Sequence, residues 1–77
     1  MTDTQTLIKA VRRGCTDRAT RDVLLAALNA GTRGKLTRQG IMLYGPQGAY
    51  AAHFSVSDHR AAKNLATGLR RAGIEAA

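Results

Sequence analysis

A single tight turn with apolar residues on both sides constrains this chain more than any other feature. Gly45-Pro46-Gln47-Gly48 is typical of a β-turn, because proline suits its second position and glycine its fourth. The flanking residues, 41–44 and 49–56, are mostly apolar. Pairing residue 44 with residue 49 across the turn sets the side of the sheet on which each hairpin side chain lies, because side chains alternate along a strand. The sequence therefore predicts an antiparallel hairpin in one register.

This register divides the hairpin into two faces. The predicted core face carries Ile41, Leu43, Tyr50, Ala52, Phe54 and Val56. The opposite face is mixed and open to solvent, and carries Met42, Tyr44, Ala51, His53 and Ser55. Gln39-Gly40 predicts a tight turn back to an earlier strand at about residues 34–38. The expected sheet therefore has three antiparallel strands.

Three helices are predicted around this sheet from apolar spacing and end signals. The first covers residues 5–13, with Thr4 as its cap, and the second covers 17–30, with Thr16 as its cap. The last covers about 58–72, begins after Ser57 and ends at Gly73. The order α-α-β-β-β-α predicts a small α+β two-layer sandwich with the helices on one face of the sheet, and residues 1–77 are expected to form one domain.

The charge balance predicts an anionic partner. Twelve Lys and Arg stand against five Asp and Glu, a net charge of +7, which favours nucleic acid or an acidic protein. A basic surface kept for solubility is the alternative. The cations of the last helix form a stripe, named here the basic stripe, which consists of Arg60, Lys63, Arg70 and the adjacent Arg71. This stripe either contacts phosphates or is a solvated helix face.

Other features of the sequence bear on the cellular compartment, on metal and cofactor sites, and on the oligomeric state. Cys15 is the only cysteine and cannot form an internal disulfide, which favours a reducing compartment. The sequence has no apolar run that could span a membrane and no secretory signal, so a cytoplasmic protein is expected. No metal-ligand or cofactor motif is present. The thin core of so short a chain makes a homodimer an open possibility.

Residues from about Leu36 to Ile74 resemble the small HicA-type mRNA interferase toxins, in particular those of actinobacteria and their phages. The matching stretches are LTRQGIMLYGPQG, AYAAHFSVSDHRAAKNL and LRRAGI. The resemblance implies a fold like that of double-stranded-RNA-binding domains, with a three-stranded sheet covered by helices on one side. Residues 16–77 are then the family core, and residues 1–15 are an additional N-terminal helix.

The resemblance also implies a catalytic histidine directly after the glycine that opens the second strand, where this chain has Ile41 after Gly40. Isoleucine can neither accept nor donate a proton. His53, paired with Gly40 in the predicted register, is a candidate for a relocated base, or a surface strand residue. His59 is expected to lie on the surface near the start of the last helix. Arg38, which belongs to the family-like TRQG stretch, is a candidate phosphate contact.

Three hypotheses about function follow. The first is a HicA-like domain that has lost catalysis and binds nucleic acid, RNA rather than DNA, through Arg38 and the basic stripe. The second is an active, metal-independent endoribonuclease that uses His53. The third is a protein-interaction module that engages an acidic antitoxin-like or host protein, or a second copy of itself.

Overall fold

A computed structural model describes residues 3–54 and 60–74. Its elements in chain order are α1 (Thr4–Gly14), α2 (Arg18–Asn29), β1 (Arg33–Leu36), β2 (Gly40–Gly45), β3 (Gly48–His53) and α3 (Ala61–Arg71). The three strands form one antiparallel sheet in the order β1-β2-β3. The predicted fold class, an α+β sandwich of order α-α-β-β-β-α, is confirmed. No helix in the described segments is long and apolar enough to cross a membrane.

The hairpin register is as predicted from the turn. Tyr44 pairs with Ala49, and Gly40 pairs with His53. Strand β1 pairs with β2 so that Arg33 lies opposite Tyr44 and Lys35 opposite Met42. The strand that was predicted at about residues 34–38 runs from Arg33 to Leu36, so it begins one residue earlier and ends two residues earlier than predicted. Beyond it the chain turns, with the Thr37 hydroxyl accepting a hydrogen bond from the Gly40 N–H at 3.1 Å.

Carboxylates, rather than the predicted threonines, cap the first two helices. The Asp3 side chain accepts from the Gln5 N–H at 3.1 Å, so the predicted cap Thr4 is the first residue of α1. Asp17 caps α2 and accepts from the Thr20 N–H at 2.8 Å, which corrects the predicted cap Thr16. The predicted cap Ser57 of the last helix, and His59 after it, lie outside the described residues.

The helices cover one face of the sheet and enclose a single core. The predicted core face is confirmed for Ile41 and Leu43, which are completely buried, and for Ala52. Tyr50 and Phe54 pack against the core at its margin, and Val56 lies outside the described residues. The helices supply most of the remaining large side chains of this core, and Ile74, beyond the end of α3, supplies another. Those from the helices are Leu7, Val11, Leu24, Leu28, Leu65 and Leu69.

Candidate nucleic-acid interface

The outer surface of α3 presents the basic stripe to solvent. Arg60, Lys63, Arg70 and Arg71 are all exposed, together with Asn64 and Thr67. Leu65 and Leu69 are buried on the opposite side of the same helix. At 1.5 Å per residue, Lys63 and Arg70 are about 10 Å apart along the helix axis. The stripe thus consists of two cationic pairs, one at each end of α3.

The C-terminal end of α3 is held firmly. Gly73 has a φ of +83°, which glycine adopts at little cost and which allows a Schellman-type helix end. The Gly73 N–H donates to the Arg70 carbonyl at 3.0 Å, and the Ile74 N–H donates to the Leu69 carbonyl at 2.8 Å. Ile74 is buried. The rigid end fixes the backbone from which Arg70 and Arg71 project.

The β2–β3 turn fastens the same helix end to the sheet. The Gln47 N–H donates to the Ala72 carbonyl at 3.0 Å. Earlier in α3, the Tyr50 ring lies so close to Gly68 that a Cβ at residue 68 would overlap Cδ2 and Cε2 of the ring. Glycine inside a helix is unfavourable by itself, and this contact explains its presence. Both contacts orient α3 so that the basic stripe faces away from the sheet.

Alternation along the strands places a second set of side chains on the uncovered side of the sheet. The name open sheet face is used here for Arg33, Lys35, Met42, Tyr44, Ala49, Ala51 and His53. Met42 and Tyr44 are half-buried, and the other five are exposed. The predicted outward direction of Met42, Tyr44, Ala51 and His53 is confirmed, whereas Ser55 lies outside the described residues.

Sequence reasoning did not assign Arg33 and Lys35 to this face. Both lie on β1, where Arg33 is opposite Tyr44 and Lys35 is opposite Met42. The available signal was the alternation of Arg33, Gly34, Lys35 and Leu36, in which cations occupy every second position. Starting the strand at residue 34 left Arg33 outside it and concealed this pattern.

His53 and Arg38 lie at the same end of the sheet. They border one open groove of about 640 Å³, which is also lined by Gly40, Phe54 and residues of α1. His53 also borders a smaller depression of about 210 Å³ beside Asn64 at the start of α3. Among the described residues, no carboxylate or hydroxyl makes a hydrogen bond to its imidazole. Among the residues that the structure describes, the groove offers one imidazole and one guanidinium, without a second acid–base group.

The position that the HicA-type resemblance assigns to a catalytic histidine faces the core. Ile41 is completely buried beneath the helix layer, opposite Ala52. A side chain at residue 41 cannot reach a ligand on the open sheet face or on α3. The structure therefore separates position 41 from the groove that Arg38 and His53 border.

Two other potentially reactive side chains, the Asp17 carboxylate and the Cys15 thiol, have structural roles at the start of α2. Hydrogen bonds from the Thr20 hydroxyl, at 2.7 Å, and from the Thr20 N–H hold the pKa of Asp17 below its ordinary value. Burial raises the pKa of the Cys15 thiol, so it stays protonated at neutral pH and is a poor nucleophile.

Three of the five carboxylates, Asp3, Asp17 and Asp22, belong to the first two helices and their caps. In the sequence, Asp58 precedes α3 and Glu75 follows it, and both lie outside the described residues. The described cations from Arg33 onward are Arg33, Lys35, Arg38, Arg60, Lys63, Arg70 and Arg71. Within the described segments, no three His, Cys, Asp or Glu side chains come together in a way that could hold a metal ion.

Comparison of the chain with protein-family models, with curated proteins and with solved structures finds no match. The resemblance to HicA-type toxins consequently remains a prediction from the quoted stretches.

Proposed function

We propose that this chain is a HicA-like domain that binds RNA through the basic stripe of α3 and does not cleave it. The observation that carries the proposal is the clustering of four exposed cations on one face of α3, opposite the buried Leu65 and Leu69. A polyanion-binding surface benefits from such clustering, because neighbouring cations add to the local positive potential.

The geometry of α3 suits contacts with a nucleic-acid backbone. Its two cationic pairs are separated by about 10 Å of helix, at 1.5 Å per residue, so they can contact phosphates at separate points. Asn64 and Thr67 lie between them as exposed polar groups. A-form RNA is recognised mainly through its shape, its phosphates and its 2′-hydroxyl groups. The preference for RNA over DNA rests on the resemblance to HicA-type toxins.

Two features support binding without cleavage. Metal-independent cleavage of RNA needs a group that accepts the proton of the 2′-hydroxyl and another that protonates the leaving oxygen. Position 41 is enclosed by the core. His53 has no acid–base partner among the described residues, and Arg38, in the same groove, belongs to a residue type that supplies positive charge and donors but no proton acceptor.

The decisive experiment measures binding of a duplex RNA by fluorescence anisotropy over a series of salt concentrations. The double variant Lys63→Gln with Arg70→Gln should bind more weakly and reduce the slope of log K against log salt by about 1 for each phosphate contact removed. Lys9→Gln with Arg12→Gln removes the same charge from exposed positions of α1 and is the matched control. Equal losses in both double variants would mean that only net charge matters and would contradict a site on α3.

Incubation of the same RNA with the wild-type protein tests the absence of cleavage. We expect intact RNA. Fragments that disappear with His53→Ala would replace the proposal with the endoribonuclease hypothesis. An acidic protein that copurifies after nuclease treatment, while the wild type fails to bind RNA, would favour the protein-interaction hypothesis instead.

A further inference from the structure

The open sheet face has the composition of a stacking platform. Tyr44 lies on the central strand, flanked by Arg33 on β1 and by Ala49 on β3. Lys35 and Ala51 flank Met42 in the next row. The cations are thus confined to one side of the central strand, and the other side carries only methyl groups beside Tyr44 and Met42. Small side chains on β3 leave the Tyr44 ring accessible from that side.

We infer that the open sheet face binds single-stranded nucleic acid, with a base stacked on Tyr44 and the backbone held by Arg33 and Lys35. Aromatic side chains on a positively charged surface bind single strands in this way, because every base has a face that can stack. Arg33 and Lys35 are about 6.6 Å apart along one strand, so both can follow one extended backbone. This surface lies on the opposite side of the sheet from α3 and goes beyond the function proposed for that helix.

Charge complementarity favours this ligand over a second copy of the chain. A symmetric dimer through the open sheet face would enclose the Arg33 and Lys35 side chains of both copies in one interface. No carboxylate among the described residues lies on this face to balance them. A single-stranded polyanion supplies the opposite charge and, in its bases, the flat apolar surfaces that Tyr44 and Met42 can contact.

The two tyrosines allow a direct test of stacking. The chain has no tryptophan and only two tyrosines, Tyr44 and Tyr50. Tyr50 lies on the core face against Gly68, so a Tyr50→Phe variant leaves Tyr44 as the only tyrosine emitter. Titration of this variant with oligouridylate, corrected for absorption with free tyrosine, should quench the emission and reach saturation. Binding of the same oligomer without quenching would overturn the inference.

Affinities of variants provide the second measurement. Tyr44→Leu should weaken binding of labelled oligouridylate by about 5- to 150-fold, the usual effect of removing one base–aromatic stack. Ala51→Glu places a carboxylate at an exposed position of the same face and should also weaken binding, which keeps the test valid if Tyr44→Leu fails to fold. Circular dichroism establishes folding. Unchanged affinity in either folded variant would overturn the inference.

Crossed measurements separate this site from the one on α3. The Lys63→Gln, Arg70→Gln variant should lose duplex binding and retain the quenching of Tyr44. Loss of quenching in that variant would place single strands on α3 and overturn this inference alone. Quenching by oligouridylate in a protein that does not bind duplex RNA would contradict the proposed function and support this inference.

Discussion

Replacing Ile41 with histidine restores the residue type that the HicA-type resemblance implies at the start of β2. The structure nevertheless buries Ile41 completely, opposite Ala52 and beneath the helix layer. A histidine at this position must either place its imidazole among apolar core side chains or disrupt the sheet. We therefore expect Ile41→His to destabilise the protein and to produce no RNA cleavage.

The expected loss of stability follows from the complete burial of Ile41. Burying an isoleucine contributes about 1.5–3 kcal/mol, and burying a polar ring without hydrogen-bond partners costs about 1–3 kcal/mol more. The expected loss of about 3–6 kcal/mol compares with a total stability of about 4–12 kcal/mol for a chain of this length. The variant should thus lose a large fraction of its stability, and it is partly unfolded if the wild type lies at the lower end of that range.

The loss should also depend on pH. Burial in the core disfavours the imidazolium ion and lowers the histidine pKa in the folded state, whereas the unfolded chain keeps a pKa of about 6.5. Below that pH the unfolded state binds an additional proton, so the variant becomes less stable as the pH falls and recovers as it rises. A solvent-exposed histidine would not show this dependence.

Urea denaturation followed by circular dichroism, above and below the ordinary histidine pKa, measures both effects. Ile41→Val is the matched control and should cost only about 0.5–1.5 kcal/mol, with no added pH dependence. A stable Ile41→His protein that cleaves RNA would refute the reasoning. It would mean that residue 41 faces solvent and that the register of the sheet is shifted by one residue.

Two other predictions concern the scaffold that presents the basic stripe. Gly68→Ala should lower stability by about 1–2 kcal/mol in thermal denaturation, because displacement of the Tyr50 ring outweighs the gain in helix propensity. Thr67→Ala, at an exposed neighbouring position, is the control and should not lower stability. A Gly68→Ala variant as stable as the wild type would show that the Tyr50 ring does not pack against residue 68. Asp17 has a lowered pKa because of Thr20, so its contribution is present above the ordinary aspartate pKa and is lost as the pH falls through the folded pKa. Asp17→Asn keeps a cap without a titrating group, and its stability measured against pH should fall less steeply at acid pH than that of the wild type.

The hairpin and the C-terminal ends of α2 and α3 were predictable, because local chemistry specifies them. The turn at Pro46 determines the register, and the alternation of side chains then assigns Ile41 to the core. The glycine ends of α2 and α3 have the positive φ that their position requires, 97° at Gly31 and 83° at Gly73. Each of these features depends on neighbours within a few residues.

Features that depend on distant contacts were not predictable. The extent of β1 is set by pairing with β2, since Arg33-Gly34-Lys35-Leu36 has little strand propensity of its own. The reason for Gly68 lies in Tyr50, which is eighteen positions away in the chain. In the candidate sites, the basic stripe was predicted from helical spacing. The cross-strand pairing of Arg33 with Tyr44 became evident only from the structure.

Two of the described carboxylates serve the fold, and the excess of cations creates a repulsion that a ligand can relieve. Asp3 and Asp17 cap helices, where the backbone requires an acceptor. Twelve Lys and Arg against five Asp and Glu leave the chain with a net charge of +7. Repulsion of this kind destabilises a small compact domain. A bound polyanion removes the repulsion, and both proposed sites provide a surface on which it can do so.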